Sequence, residues 1–246
     1  GSGGSLTFSG SNTLSIFDDF ENNGTFNSGT GTIAAVKATD DQLFYNNTAT
    51  VFDFYNLSVD NNTTLDLENG EWGIINNLEV LAGGMDVVDA TSVTLYSGSG
   101  GSSQILTSIN NAFTGDFIIQ RYLSGRRTDY SNLAAPTSNA TIADLDDDLY
   151  LSGVNGNDPD IGTFKSVWTY TPSGGYSAVT STATTMTPGL GFEVYLSGIN
   201  RYIPEDTLDY EGTPTNGTVA VSVEQGWNLV GNPYHSFIDF DLLTKS

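Results

Sequence analysis

Oxygen-bearing side chains are most concentrated in one stretch of this sequence that also contains glycine. The stretch includes Asp144, Asp146, Asp147, Asp148, Asn155, Asn157, Asp158 and Asp160. Calcium prefers hard oxygen ligands, and a bound cation would offset the repulsion among these acids. The residue order does not match an EF-hand loop. We predict calcium binding by Asp158 and Asp160, with a hydrated, turn-rich loop as the alternative, and we predict no other cofactor.

The sequence has one histidine and no cysteine. His235 lies in an Asn-Pro-Tyr-His turn without a recognisable nucleophile elbow for a Ser-His-Asp triad. One histidine and no thiolate argue against a zinc or copper site. The missing cysteines also exclude disulfides and thiolate nucleophiles. We interpret His235 as a satisfied or exposed loop histidine.

Acidic residues outnumber basic ones by 29 to 7, which gives a net charge of −22. A chain without a basic patch cannot neutralise phosphates, so nucleic acid and anionic lipid are excluded as partners. An acidic surface favours solubility and suits divalent cations. No apolar run reaches the roughly 18–20 residues that cross a bilayer, so no membrane span is predicted.

The elements that would carry these side chains are β-strands. Only 15% of residues are charged, and Gly, Ser, Thr, Asn and Asp supply the polarity. These are residues of turns and β-surfaces, whereas helix-forming runs are nearly absent. Over residues 6–112, short stretches alternate apolar and polar residues between Asn, Asp and Gly, as strands with one buried face do.

A repeat organises this first half of the chain. The pattern Asn56-Leu57-x-Val59 recurs as Asn77-Leu78-x-Val80, and Leu65-Asp66-Leu67 is echoed by Met85-Asp86-Val87. A period near 20 residues with several short strands is typical of a β-solenoid coil, which buries its apolar stripe by stacking. Asparagine suits the corners, since it tolerates left-handed backbone and can form side-chain ladders. A meandering antiparallel sandwich is the alternative.

The pattern changes near residue 113, where strands become longer and more aromatic and the repeat ends. The candidate strands are residues 117–123, 167–170, 191–196, 218–223 and 227–230. They favour an antiparallel β-sandwich or jelly roll. We predict an all-β chain with a parallel β-solenoid over 1–112 and a β-sandwich-like domain over 113–246, truncated at its C-terminal end.

Residues 226–234 read Gly-Trp-Asn-Leu-Val-Gly-Asn-Pro-Tyr and are followed by Ser236, Ile238 and Asp239. This string resembles one found in bacterial surface proteins of the Bacteroidetes that are exported by type IX secretion. Residues 120–123 leading to 133–136, residues 187–194 and residues 20–27 resemble further segments of that family. His235 stands where the family usually has proline, so the resemblance assigns it no role.

The resemblance implies a location and a set of partners. It places the chain on the extracellular cell surface at the outer-membrane face, as cargo of the type IX secretion machinery and a neighbour of outer-membrane components. The family's sorting domain is not visible in this sequence. Asp206-Thr207-Leu208 is similar to the short O-glycosylation pattern of the same phylum, which makes Thr207 a candidate glycosylation site.

Three classes of function remain open on the sequence alone. A non-enzymatic structural or adhesive protein, such as a gliding-type adhesin or fibre component, is the leading prediction; it would bind surface glycans or copies of itself. A carbohydrate-binding module is the alternative, with Trp72 and Trp168 as conceivable platforms, although core packing explains most sheet aromatics. A polysaccharide-degrading enzyme is the third class. A lyase would need a basic residue beside a carboxylate-lined cation site, and residues 1–120 offer only Lys37. A glycosidase needs two spaced carboxylates, which no pattern singles out.

Overall fold

A computed structural model describes residues 3–8, 10–109, 112–123, 129–155, 164–196 and 207–244. Strands account for 49% of it and helices for 3%, and a parallel β-solenoid of about 5 turns is joined to antiparallel sheets. The prediction of an all-β chain that starts as a parallel solenoid and continues in antiparallel sheet is therefore confirmed.

The strands of the first half are β1 (Ser5–Thr7), β2 (Thr13–Ile16), β3 (Phe20–Asn22), β4 (Thr25–Asn27), β5 (Thr32–Ala35), β6 (Gln42–Asn46), β7 (Phe52–Glu68), β8 (Glu71–Asp86), β9 (Ser92–Leu95), β10 (Ser97–Gly98), β11 (Gly101–Ser102) and β12 (Gln104–Ser108). They are followed by β13 (Phe113–Thr114), β14 (Phe117–Tyr122), β15 (Tyr130–Leu133), helix α1 (Ala143–Asp146), β16 (Val167–Thr171), β17 (Gly175–Ala178), β18 (Phe192–Tyr195), β19 (Thr207–Gly212) and a 3₁₀ turn at Phe240–Leu242.

Each solenoid coil turns through three faces, and the long strands β7 and β8 bend through all three. On face 1, Phe54 is in register with Ile74, and Ile74 with Leu95. Face 2 carries a column of Leu14, Ile33, Leu57, Leu78 and Ile105. Face 3 aligns residues of β6, β7, β8 and β13 in the same way. The observed register joins Leu57 to Leu78 and Leu65 to Met85, as the repeat predicted.

Aromatic rings fill the interior of the solenoid. Phe26 stacks on Phe52 with ring centroids 4.4 Å apart, and Phe54 stacks on Trp72 at 5.7 Å. Phe52, Phe54 and Trp72 are all buried. Because each ring contacts the ring one coil away, the core forms only when neighbouring coils are stacked.

Asparagine amides link the coils at their corners. Asn46 is buried; its Oδ1 accepts from Nδ2 of Asn22 at 3.0 Å, and its Nδ2 donates to the carbonyls of Thr50 and Glu71. On the surface, the amide of Asn47 contacts the side chain of Asn23 in the preceding coil. The predicted side-chain ladders are thus present in the structure.

The parallel ladder continues past residue 112, the boundary predicted from the sequence. Strand β13 pairs with β8, and β14 pairs in parallel with β9. On its other side β14 pairs with β19 in the antiparallel sense, from Phe117 opposite Gly212 to Tyr122 opposite Thr207. This antiparallel strand ends the parallel ladder of face 1.

A second core lies beyond the solenoid. Strands β15, β18, β16 and β17 form a four-stranded antiparallel sheet in that order. Buried Val167, Phe192 and Val194 from this sheet cluster with Leu208 and Tyr210 of β19 and with apolar residues near α1. The antiparallel part therefore packs against the strand that closes the solenoid.

Two predicted strands do not join a sheet. Residues 218–223 and 227–230 are outside the strands of the structure, apart from an isolated bridge between Leu190 and Val230. Their alternation of apolar residues has no partner strand among the described residues, and a strand needs a partner for its backbone hydrogen bonds. The side chain of Asn228 instead bonds to the backbone of Glu224 and Gly226.

Candidate functional site

The inward face of β14 changes from apolar to charged as the strand leaves the solenoid core. Phe117 and Ile119 are fully buried in that core, and Arg121 follows on the same face because strand side chains alternate. The register places Ile119 opposite Tyr210 and Arg121 opposite Leu208. Directly opposed residues of an antiparallel pair share a face, so Arg121 and Tyr210 are diagonal neighbours.

A cavity of about 280 Å³ lies beside these two residues. The residues that line it are Arg121, Tyr122, Leu123, Asn132, Leu133, Ala134, Gly191, Tyr210, Val230, Gly231 and Asn232. Ile119 belongs to the solenoid core and Tyr210 to the second core. The cavity is therefore situated where the two cores meet.

Tyr210 is fully buried, and its hydroxyl has no hydrogen-bond partner among the described residues. Burial raises the pKa of the Tyr210 hydroxyl, and the positive charge of Arg121 acts in the opposite direction. The hydroxyl therefore stays protonated at neutral pH and can donate a hydrogen bond. Ion pairs within the described part of the chain all involve Lys37, so Arg121 has no carboxylate partner there.

Segments that are distant in the sequence build this cavity. Its walls come from residues 121–123, 132–134, 191, 210 and 230–232. Four of these five segments overlap the strings that carry the resemblance to exported surface proteins, yet nothing in their spacing predicted that they meet. Arg121 in β14 was the sequence signal for this site, because an arginine is rarely found on the inward face of a strand unless it has a partner.

His235 is buried in contact with the last coil of the solenoid. It is 2% exposed, its Nε2 lies 2.9 Å from Oγ of Ser103, and its carbonyl accepts a hydrogen bond from the N–H of Ile105 at 2.8 Å. The C-terminal segment thus occupies the outer edge of β12 and closes face 2. The interpretation of His235 as an exposed histidine is therefore wrong. The interpretation as a satisfied histidine holds for Nε2 and the carbonyl but not for Nδ1, which has no hydrogen-bond partner among the described residues.

The Ser103–His235 pair differs from a catalytic dyad in three respects. Ser103 is 1% exposed, so a substrate cannot reach its hydroxyl. No described residue orients Nδ1 of His235, which lacks a hydrogen-bond partner. Burial lowers the pKa of His235 to about 3, with a further contribution from Arg121, which weakens the imidazole as a base.

Part of the aspartate-rich stretch accepts hydrogen bonds from the backbone of β19. Oδ2 of Asp148 accepts from the N–H of Asp209 at 2.6 Å, and Oδ2 of Asp144 accepts from the N–H of Glu211 at 3.3 Å. Both donors lie on the edge of β19 that faces away from β14. The two carboxylates therefore terminate that sheet edge, which would otherwise expose unpaired N–H groups.

The predicted calcium ligands Asp158 and Asp160 lie outside the described residues, so calcium binding remains a prediction. Within the described ranges, no group of three or more His, Cys, Asp or Glu side chains could hold a metal ion. Thr207 is half-buried at the start of β19 and pairs with Tyr122, while Asp206 of the same motif lies outside the described part. Glycosylation of Thr207 also remains a prediction.

Lys37 lies among carboxylates at a corner of the solenoid. Its Nζ is 2.9 Å from Asp19, 3.6 Å from Asp18 and 3.7 Å from Asp40. The hydrogen bond to Asp19 raises the pKa of Lys37. A lyase base must lose its proton near neutral pH, so this environment opposes that chemistry.

The two tryptophans considered as sugar platforms have other roles. Trp72 is fully buried in the solenoid core, so the idea of a platform there is wrong. Trp168 is half-buried, and its Nε1 donates to the carbonyl of Lys165 at 3.0 Å. Trp227, for which no role was predicted from the sequence, is 84% exposed.

Comparisons with known proteins add no functional assignment. No protein-family model, curated protein or solved structure matches the chain significantly. Among the described residues, no helix is both long and apolar enough to cross a membrane.

Proposed function

We propose that this chain is a non-enzymatic structural or adhesive protein of the bacterial cell surface. In this role the solenoid is a stiff spacer, and the antiparallel part closes one of its ends. The observation that carries the proposal is the continuous stack of hydrogen-bonded rungs around a packed aromatic core. Such a stack resists bending and extension because every rung is bonded to its neighbours.

The dimensions support a spacer. About 5 turns, at a rung spacing of roughly 4.8 Å, correspond to a rod of about 20–25 Å. The large side chains of its interior, Phe44, Phe54, Trp72 and Leu78 among them, are fully buried. The chemistry of this part lies in packing and backbone pairing rather than in a reactive pocket.

The two ends of the solenoid differ, which bears on its partners. Strand β19 and the backbone of His235 cover the C-terminal rungs of faces 1 and 2. At the other end, no described strand pairs with the outer edges of β2 and β3, and Phe17 is 73% exposed. Open ladder edges invite pairing with further strands. A copy of the same chain is our proposed partner at this edge.

Export through type IX secretion is the proposed route, and the resemblance of residues 226–234 supports it. The test uses the bacterium that encodes the chain, with whole-cell immunolabelling and proteinase digestion of intact cells. We expect surface labelling that is lost when the type IX translocon is inactivated, and weaker attachment of cells that lack the gene. Labelling confined to permeabilised cells would refute the proposal.

Carbohydrate binding is the second candidate, and exposed aromatic rings favour it. Trp227 and Phe237 are 84% and 87% exposed, and such rings stack on the apolar faces of sugars. A glycan array with the wild-type chain and Trp227→Ala tests this function, with Phe17→Ala as a control at the opposite end. Binding that Trp227→Ala abolishes and Phe17→Ala preserves would support it; no binding, or equal loss in both variants, would refute it.

A further inference from the structure

We infer that the outer face of the four-stranded antiparallel sheet binds a neutral oligosaccharide chain. The inference deepens the second candidate function, carbohydrate binding, and rests on it, but it places the sugar on a surface other than that of Trp227. The structural role of the solenoid does not depend on it. Three features carry the inference: exposed aromatic rings, polar groups between them, and the charge of the described surface.

The two faces of this sheet differ because side chains alternate along a strand. Phe192 and Val194 of β18 point into the second core. Glu193 lies between them and therefore points outward. The register places Asn132 of β15 on one side of Glu193 and Trp168 of β16 on the other, so both side chains share its face.

Two aromatic pairs lie on this outer face. Tyr130 is paired with Tyr195, and Tyr170 with Tyr176, with ring centroids 5.0 Å apart in each pair. Phe164 packs against Tyr195 at 5.1 Å. Tyr130, Phe164 and Tyr176 are between 42% and 54% exposed. Large rings that stay exposed side by side on a rigid sheet mark an interaction surface.

The separation of the two pairs indicates a ligand longer than one sugar ring. Val194 is paired with Val167, so the next residue, Tyr195, lies level with Ser166. Tyr170 is four residues further along, which is about 14 Å at the usual rise of a strand. A ligand that contacts both pairs must therefore contain several linked rings.

The polar groups of this face suit a ligand rich in hydroxyl groups. The exposed amide of Asn132 can donate and accept, and the carboxylate of Glu193 accepts. The hydroxyl of Tyr176 lies 3.5 Å from Oε1 of Glu193, whose negative charge raises the pKa of Tyr176. Sugar hydroxyls both donate and accept, and the C–H face of a sugar ring stacks on an aromatic ring, so a neutral sugar matches both kinds of group.

The charge of the described surface argues against an anionic ligand and against a second copy of the chain. The basic residues of the described part are Lys37, Arg121 and Lys165. Lys37 lies at a solenoid corner, and Arg121 is on the inward face of β14. The ammonium of Lys165 donates to the carbonyl of Gly153 at 2.7 Å. Glu193 and the net charge of −22 would repel a carboxylated sugar or another copy.

The experiment titrates the 246-residue chain with cellohexaose and with chitohexaose, followed by calorimetry and by ¹H–¹⁵N NMR. Both are neutral, and their equatorial substituents leave apolar C–H faces on every ring. We expect binding with a dissociation constant on the order of 1 mM or tighter, together with shifts of the Gly174 and Gly175 amides next to Tyr176. The hexamer of β-1,4-linked glucuronic acid is the anionic match of cellohexaose and should bind at least about tenfold more weakly than the neutral probes.

Variants locate the site. Tyr130→Ala and Tyr176→Ala should each weaken binding by about three- to tenfold, since each removes a stacking ring. Tyr176→Phe keeps the ring and should stay within about twofold of wild type. Tyr55→Ala makes the same change at a half-buried tyrosine of the solenoid and should leave the affinity unchanged. Trp227→Ala should also leave it unchanged.

The outcomes separate this face from the second candidate function as a whole. Loss of binding in Trp227→Ala alone would keep carbohydrate binding but refute this face. No binding of either neutral probe in the low millimolar range would refute the inference, and a glycan array without any signal would refute the second candidate as well.

Other results would overturn the inference on its own terms. These are equal affinity for the anionic hexamer, equal weakening by Tyr55→Ala, and a loss in Tyr176→Phe as large as in Tyr176→Ala. Shifts of the Gly174 and Gly175 amides that depend on protein concentration without sugar would identify a second copy as the occupant. If the alanine variants do not fold, Tyr176→Phe and the shifts of these amides in the wild-type chain decide the matter.

Discussion

The N–H of Asp209 donates to Oδ2 of Asp148 over 2.6 Å and ties the edge of β19 to the turn that follows α1. Burial raises the pKa of this carboxyl to about 7, and the backbone hydrogen bond only partly opposes the change. The edge of β19 is thus capped by a carboxyl group whose ionised form is destabilised by burial. Stability should therefore depend on the protonation of Asp148.

The pH dependence of Asp148 follows from this pKa. An unfolded aspartate titrates near 3.8, and the folded one near 7. The folded state binds the proton more tightly, so the contribution to stability is complete below pH 3.8 and is lost as the pH rises through 7. Asp148→Asn keeps an accepting oxygen without the charge. We expect its melting temperature, relative to wild type, to be a few degrees higher at pH 8 than at pH 5.

Differential scanning calorimetry at the two pH values checks this prediction. The control is Asp241→Asn, which removes an exposed carboxylate. If Asp148→Asn and Asp241→Asn shift the melting temperature equally at both pH values, the buried charge at β19 has no special role.

The pair of Ser103 and His235 should act as a structural unit. Each single alanine variant leaves a buried polar atom unpaired, so each should lose about 1–3 kcal/mol of unfolding free energy. The double variant should lose less than the sum, with a coupling of about 0.5–1.5 kcal/mol. Denaturant unfolding of the four chains measures the cycle. Additive effects would show that the 2.9 Å contact contributes nothing.

The same histidine should limit stability in acid. Its folded pKa is about 3 against 6.5 in the unfolded chain, so the unfolded state binds the extra proton. The contribution of His235 is present above pH 6.5 and is lost as the pH falls towards 3. We expect His235→Gln to be less destabilising at pH 4.5 than at pH 8. A penalty that is independent of pH would contradict the buried neutral imidazole.

Trp72 and Trp227 should respond to truncation in opposite ways. Trp72 is fully buried and stacks between coils, so Trp72→Ala should cost about 3–5 kcal/mol through the cavity it leaves. Trp227 is 84% exposed, and Trp227→Ala should stay within about 0.5 kcal/mol. Urea unfolding monitored by circular dichroism compares them. Equal costs would mean that the stacked core is not the source of stability.

The asparagine side-chain ladders should contribute to the free energy of unfolding only where they are buried. Asn46→Ala removes five hydrogen bonds, including those to the carbonyls of Thr50 and Glu71, and should cost about 2–3 kcal/mol. Asn47→Ala removes three hydrogen bonds on the exposed surface, to Glu21, Asn23 and Asn69, and should cost less than about 0.5 kcal/mol. Thermal unfolding of both variants tests this, and a larger loss in Asn47→Ala would refute it.

The predictions that succeeded from sequence are those in which contacts recur at nearly fixed spacing. Leu57 faces Leu78, and Asn56 faces Asn77, because each coil binds only its neighbours. The repeat therefore encodes both the parallel register and the stacked core. The alternation over residues 218–223 was less informative, since a pattern identifies a strand candidate but not whether another strand is there to pair with it.

What the sequence by itself determined is the solenoid: its strand composition, its repeat and the residues that point inward. Only the tertiary structure decided how the solenoid ends, because those contacts join residues far apart in the chain. Ser103 and His235 are separated by 132 positions, and Asp148 and Asp209 by 61. The cavity of Arg121 and Tyr210 has the same origin, since five separate segments build its walls. The repeat predicts which residue lies one coil away. The contacts that close the end of the solenoid join residues far apart in the chain, so they depend on the complete tertiary fold.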